Sequence, residues 1–349
     1  MEQRDDRRDE GNWHDASVGV QHLTLSSHLR LVVGALVVFA VFTFVILLVL
    51  PARIPLDDKV GNMLRYGALA GIEIVTVLCA QSLLADKLIE GSEKGWRERF
   101  SGRAFQFGLR KPRNALVTAR DTLLLLFCAL VPLDALSYFM PGLLDYISNT
   151  DVGKFFDGFT LETFLTIGIV YNLITGVKEE FVFRGYFLQR CKEHGTRHSA
   201  WILSSLFFAV LHVDLLAIID YPVGPIAWFG TAFLAGLLFS GYALNANRLL
   251  PLVLAHGFGN FISAGAIWAW HATGGFLATG LVQFLLAYYV PMIVAGIVLA
   301  IVFRKIIRRA FAAASRLSRA LVKRGSARDA LVMAITLFLL WGTSFILIY

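Results

Sequence analysis

The chain has 349 residues, 57% of them hydrophobic and only 16% charged, with 28 phenylalanines and a mean hydropathy of +0.65. A soluble domain carries about 25% charged residues, so the composition excludes an ordinary soluble protein and requires one built into a bilayer. The formal net charge of +7 does not indicate nucleic acid, because the basic residues fall between apolar segments, where positive charge sets membrane orientation.

Residues 1–30 are polar and mixed in charge, too long and too acidic for the basic start of a signal sequence, and read as a cytoplasmic tail. At about 20 mostly apolar residues per crossing, spans are expected near 31–50, 66–85, 121–140, 162–187, 200–219, 226–245, 250–269, 279–303 and 330–348. The expected fold is all-α, a polytopic transmembrane helical bundle of about eight or nine spans. It divides into the tail, N-terminal helices over 31–140, a core over 160–270 and C-terminal helices over 271–349. Basic residues crowd 86–120 and 304–328, which puts both segments in the cytoplasm and the N-terminus with them. A multi-pass protein of the bacterial inner membrane is the expected setting.

Within the first basic segment, Trp96, Phe100, Phe105, Phe107 and Leu109 alternate with Arg and Lys, which suits a helix lying on anionic lipid or a solvated loop. The second, with Phe311, Leu317 and Leu321, reads as an interfacial helix more strongly. Cys79, Cys128 and Cys191 are scattered, without disulfide or metal spacing. His194 and His198 fall in a basic turn and are expected to be solvated.

Chemistry concentrates inside the spans. Lys178-Glu179-Glu180-Phe181-Val182-Phe183-Arg184 interrupts an apolar run, and a charge at mid-membrane costs roughly 2.5–3.5 kcal/mol on insertion scales. Glu180 and Arg184, four residues apart, share a helix face and can pair. Glu179 points about 100° away and has no such partner, which makes it the candidate general base. His212 falls at a comparable depth, and His256 and Asn260 share one face of the seventh expected span, with Gly257 and Gly259 permitting close approach. A charged pair alone is more often a structural lock and a lone histidine a hydrogen-bonding partner. Their convergence is what points to a site. Glu73 and Asp134 are further buried acids, expected to pair with a polar helix face or to line a substrate channel. Pro132 predicts a kink, and Ala232, Gly236 and Ser240 predict a close helix contact. His271 falls too near the opposite surface to join the others.

Taken in order, Glu179-Glu180-x-x-x-Arg184, Phe208-x-x-x-His212 and His256-x-x-x-Asn260 resemble the CPBP family, which includes CAAX prenyl endopeptidases of the Rce1 type and bacteriocin-processing and bacteriocin-immunity Abi proteins. The resemblance covers residues 160–265, outside the first three spans and the C-terminal segment. It implies peptide-bond hydrolysis inside the membrane. Glu179 and His212 would activate water, His256 and Asn260 would donate to the oxyanion, and Glu180 and Arg184 would hold the helix and tune the field. A second reading of the family places Zn2+ on Glu179, His212 and His256 with one position open. HExxH is absent and Asn260 is a poor zinc ligand, which favours the mechanism without a cofactor. A non-proteolytic immunity or scaffold protein is the other alternative; transport lacks the repeated half it usually shows. The expected partners are the lipid bilayer and a peptide or protein substrate reaching the site from the membrane or the cytoplasm. That substrate is CAAX-like, bacteriocin-type or otherwise membrane-associated.

Overall fold

The computed structural model describes residues 25–49, 59–89, 91–108, 114–149, 151–213, 217, 219–276, 280–324, 331–336 and 338. The tail before residue 25 and most of the expected last span at 330–348 lie outside the described residues. Helix α1 (Leu25–Val49) is followed by α2 (Lys59–Cys79), which continues as a π-helical stretch Ala80–Ile89. Next come α3 (Trp96–Gln106) and α4 (Ala115–Leu125), the latter passing through π-helical Leu126–Leu130 into α5 (Val131–Ser137). Two short helices, α6 (Leu143–Asn149) and α7 (Asp151–Phe155), precede a continuous rod over 161–194. The rod comprises α8 (Leu161–Thr163), π-helical Phe164–Gly168, α9 (Ile169–Glu180), π-helical Phe181–Phe187 and α10 (Leu188–His194). Helices α11 (Arg197–Val210), α12 (Gly224–Ala246), α13 (Leu250–Ala272), α14 (Leu281–Val302) and α15 (Arg304–Arg324) complete the order. The fold is all-α, with no strand among the described residues.

Among the described residues five helices are long and apolar enough to cross a membrane: Val60–Ile89, Ala115–Ser137, Gly224–Ala246, Leu250–Ala272 and Leu281–Val302. The expected count of eight or nine spans is not confirmed by these five, since most of the expected last span lies outside the described residues. The rod over 161–194 is long enough, but its charges at 178–184 dilute its apolar character. The expected span at 200–219 is corrected outright. Helix α11 has 14 residues, about 21 Å at 1.5 Å per residue, and stops at Val210. Its last turn tightens, with His212 N–H donating to Ala209 O and Val213 N–H to Val210 O. The carbonyl of Phe208, freed from its helical partner, accepts instead from the His212 ring Nδ1 at 2.7 Å. The histidine side chain thus satisfies a helix-end carbonyl that would otherwise be orphaned.

Local signals set the other boundaries. Asn114 caps α4 by accepting from Leu116 and Val117 N–H, and Thr196 with Ser199 forms a capping box at α11. Between α12 and α13 the chain turns in three residues, with Asn247 left-handed at φ 50° and Pro251 in the first turn of α13. The basic stretch after α2 forms a helix, α3, exposing Trp96 and Phe105. Arg103 tethers it through a fork to Asp86, with Nη2 to Oδ1 at 2.6 Å and Nε to Oδ2 at 2.9 Å. His198, expected to be solvated, is buried in the first turn of α11 against the Thr196 hydroxyl at 3.1 Å. His194 accepts from Arg190 Nη2 at 2.8 Å.

Two backbone contacts bring the core helices together. A Cβ on Gly176 of α9 would lie 2.7 Å from Val253 O, and one on Gly257 of α13 would lie 3.0 Å from Leu173 Cα. These helices touch main chain to main chain. Gly236 of α12 likewise sits against Ser205 of α11, where a Cβ would be 3.0 Å from Ser205 Cα, as the small-residue stripe predicts. Ser204 then donates to Phe183 O in the π-helical stretch at 3.1 Å.

Replacing Gly257 by Ala is expected to destabilise the protein by about 1–3 kcal/mol through overpacking. Gly230→Ala, where an added Cβ meets nothing within 4 Å, is expected to be neutral. Thermal unfolding in detergent of both variants is the check, and equal melting temperatures would contradict the close crossing.

Candidate active site

The end of α9 and the π-helical stretch after it carry the acidic and basic groups, and α13 supplies what faces them. Glu180 and Arg184 are fully enclosed, and Arg184 Nη1 donates to Glu180 Oε1 at 2.8 Å. The same oxygen accepts from His256 Nδ1 at 2.7 Å. The guanidinium stacks on the rings of Phe208 at 4.2 Å and Phe239 at 5.0 Å. Its Nε and Nη2 have no hydrogen-bond partner among the described residues; the aromatic faces take the place of acceptors there.

Glu179, half-buried, points to the other side. Its Oε2 lies 3.6 Å from His212 Nε2 and 3.6 Å from His256 Nε2. Both imidazoles are oriented from behind. His212 Nδ1 donates to the Phe208 carbonyl and His256 Nδ1 to the Glu180 carboxylate, so each presents Nε2 to Glu179. The Phe208 ring packs against both histidines, with centroids 4.3 Å from His212 and 5.9 Å from His256.

These three side chains open on a cavity of about 270 Å³ that also takes in Asn260, one turn beyond His256 on α13. All three histidine and asparagine positions read from the sequence, with Glu179, therefore line one space, while Glu180 and Arg184 stand behind it. The cavity continues along α13 to Ser263 and Ile267 and reaches Asp134 and Ser137 on α5. Asp134 accepts from the Tyr289 hydroxyl at 2.6 Å, so it both lines the cavity and has a polar partner. Glu73 lies outside the cavity and pairs with Lys178 at 3.6 Å. His271 is likewise outside, beside the Ser148 carbonyl at 3.2 Å.

Several wall residues carry no sequence signal of their own. Tyr66 of α2 bonds Thr175 at 3.1 Å and stacks on Tyr171 at 4.7 Å, and all three line the cavity. Asn172 faces the same space two turns before Glu179; that spacing of seven, shared with Thr175 at four, is the helical periodicity that marks a common face. Phe239 of α12 is recognisable from its contacts with Arg184 and His256 in the fold.

Arg184→Met leaves the Glu180 carboxylate buried without its cation and is expected to destabilise the protein by about 3–5 kcal/mol. The double change Glu180→Gln with Arg184→Met removes both charges and is expected to recover most of that loss. Thermal unfolding of the three proteins measures it; a double variant no better than the single would refute the pairing.

Residues 161–262 match the model of a protein family described as type II CAAX prenyl endopeptidase Rce1-like. No curated protein and no solved structure matches the chain. The matched family is a protease family, and at that level it supports an intramembrane CAAX-type protease. Glu179, Glu180, Arg184, His212, His256 and Asn260 all fall within the stretch that matches this Rce1-like model of the CPBP family, in a helical membrane protein.

Proposed function

We propose that the protein is an intramembrane endopeptidase in which Glu179 and His212 activate water and His256 and Asn260 stabilise the oxyanion. The observation that carries this reading is the meeting of Glu179 Oε2 with two imidazole Nε2 atoms, each at 3.6 Å, at the wall of a cavity that also holds Asn260. That separation is too long for a direct hydrogen bond and suits a shared water. The water oxygen attacks the scissile carbonyl carbon while its proton passes to Glu179. The carbonyl oxygen, now an oxyanion, accepts from Asn260 and from His256 Nε2. His256 is held for this by its Nδ1, which meets the Glu180 carboxylate at 2.7 Å and turns Nε2 toward the cavity. The C–N bond then breaks and the leaving amine takes a proton held between Glu179 and His212.

The substrate is a C-terminal CAAX-like, bacteriocin-type or other membrane-associated peptide that reaches the cavity from the membrane or the cytoplasmic side. The Lys and Arg excess in the segments of α3 and α15 supports a cytoplasmic position for both, and for the N-terminus with them; the setting we propose is a bacterial inner membrane. For zinc, a carboxylate and two imidazoles are suitable donors. Glu179, His212 and His256 are the residues that would hold the ion, which would polarise the attacking water; in the proposed mechanism that task falls to Glu179 and His212 themselves. A scaffold or immunity protein would keep the same residues for binding alone.

Detergent-purified protein incubated with prenylated and unprenylated peptides, with and without chelator, separates these readings. Cleavage is expected to survive the chelator. It is expected to fall by roughly 10²–10⁴ in Glu179→Gln and His212→Ala, the range of a lost acid–base group. In Asn260→Ala kcat is expected to fall by about 10²–10³, the range of a lost oxyanion donor. Full activity in both Glu179→Gln and His212→Ala would end the proposal, and chelator-sensitive cleavage restored by zinc would replace the mechanism.

A further inference from the structure

We propose that α15 is a docking helix for anionic phospholipid headgroups. Between Arg304 and Arg324 the chain places eight Lys and Arg residues and no acid. The face turned to the protein is narrow and apolar. Ala313 and Leu317, one turn apart, are buried, and Leu317 joins the core that includes Leu203 and Phe207 of α11. At about 100° per residue, Lys305, Arg308, Arg316 and Arg319 point roughly 100–180° away from Leu317. All four are exposed, and none forms an ion pair among the described residues. The cationic face is left open on the side opposite the protein.

The position of α15 identifies what covers that face. Val294, Ile297, Val298, Ile301 and Val302 form an exposed apolar stripe along α14, one of the helices able to cross the membrane. The stripe ends one residue before Phe303, and Arg304 follows. The hydrocarbon boundary therefore falls at Phe303 and α15 begins in the headgroup layer. Phe311, 72% exposed, stands on the flank between the apolar and cationic faces. A soluble acidic partner would leave that ring in water, whereas a lipid interface takes it at the acyl boundary while phosphates meet the guanidinium groups. Each Lys or Arg at an anionic surface strengthens binding by about fivefold, so neutralising four removes more than a hundredfold.

The test reads lipid contact and not cleavage, so it stands or falls apart from the peptidase proposal. Full-length protein is placed in nanodiscs of phosphatidylcholine alone or mixed with phosphatidylglycerol, and amide hydrogen exchange is followed across 304–324. Phosphatidylglycerol is expected to slow exchange there by about tenfold or more, and salt at about 1 M, where the Debye length is 3 Å, to reverse the effect. The variant Lys305→Gln/Arg308→Gln/Arg316→Gln/Arg319→Gln is expected to lose the difference while α13 exchanges as before. Should α13 be disturbed in the variant, the lipid and salt comparison on the unmodified protein decides alone. Equal exchange in the two lipids overturns the proposal. So does stronger protection by soluble polyglutamate in phosphatidylcholine nanodiscs, which would assign the face to an acidic polypeptide.

Discussion

The site depends on one carboxylate oxygen that cannot reach water. Glu180 Oε1 accepts from Arg184 on its own rod and from His256 on α13, so a single atom joins two helices that wall the cavity. A buried carboxylate without partners would cost several kcal/mol, and so would a buried guanidinium. Together with the rings of Phe208 and Phe239, they solvate one another. The same arrangement orients the His256 ring and aims its Nε2 at Glu179. Structural support and chemical preparation are here one set of bonds.

That bond in turn requires the helices to approach more closely than side chains ordinarily allow. Gly176 and Gly257 provide the approach, and in a bilayer, where apolar burial gives helices little reason to associate, close backbone packing is the main attraction available. The early stop of α11 has an equally direct chemical consequence. A helix running on through residue 219 would carry His212 in its body; ending at Val210 lets the imidazole fold back to the Phe208 carbonyl and face Glu179. The basic helices α3 and α15 bound this assembly, α3 anchored by Arg103 to Asp86 and α15 resting on α11 through Leu317.

Much of this was legible along the chain because membrane insertion is a local property. Twenty apolar residues make a span wherever they occur, and a charge inside one is conspicuous because of its cost. The pairing of Glu180 with Arg184 followed from a spacing of four, and the shared face of His256 and Asn260 from the same rule. The expected span at 200–219 failed for a reason hydropathy does not register: Leu211–Ile219 is apolar in composition, and what ends the helix is a side chain taking a main-chain carbonyl. His198 was misjudged because a polar residue in a basic turn looks solvated, whereas in the fold it is buried with its ring against the Thr196 hydroxyl.

By itself the sequence determined an all-α membrane protein and the residues able to do chemistry at depth, since residue type and helical period suffice for both. Only the tertiary structure decided which of those residues meet. It set Glu179 between two imidazoles, drew Glu180 back to hold Arg184 and His256, paired Glu73 with Lys178, and brought Asp134 to the cavity wall. Each of these contacts joins segments that are remote along the chain or selects one side of a helix over another. Their distances follow from how closely glycine-faced helices pack, and no periodicity within a single segment contains that information.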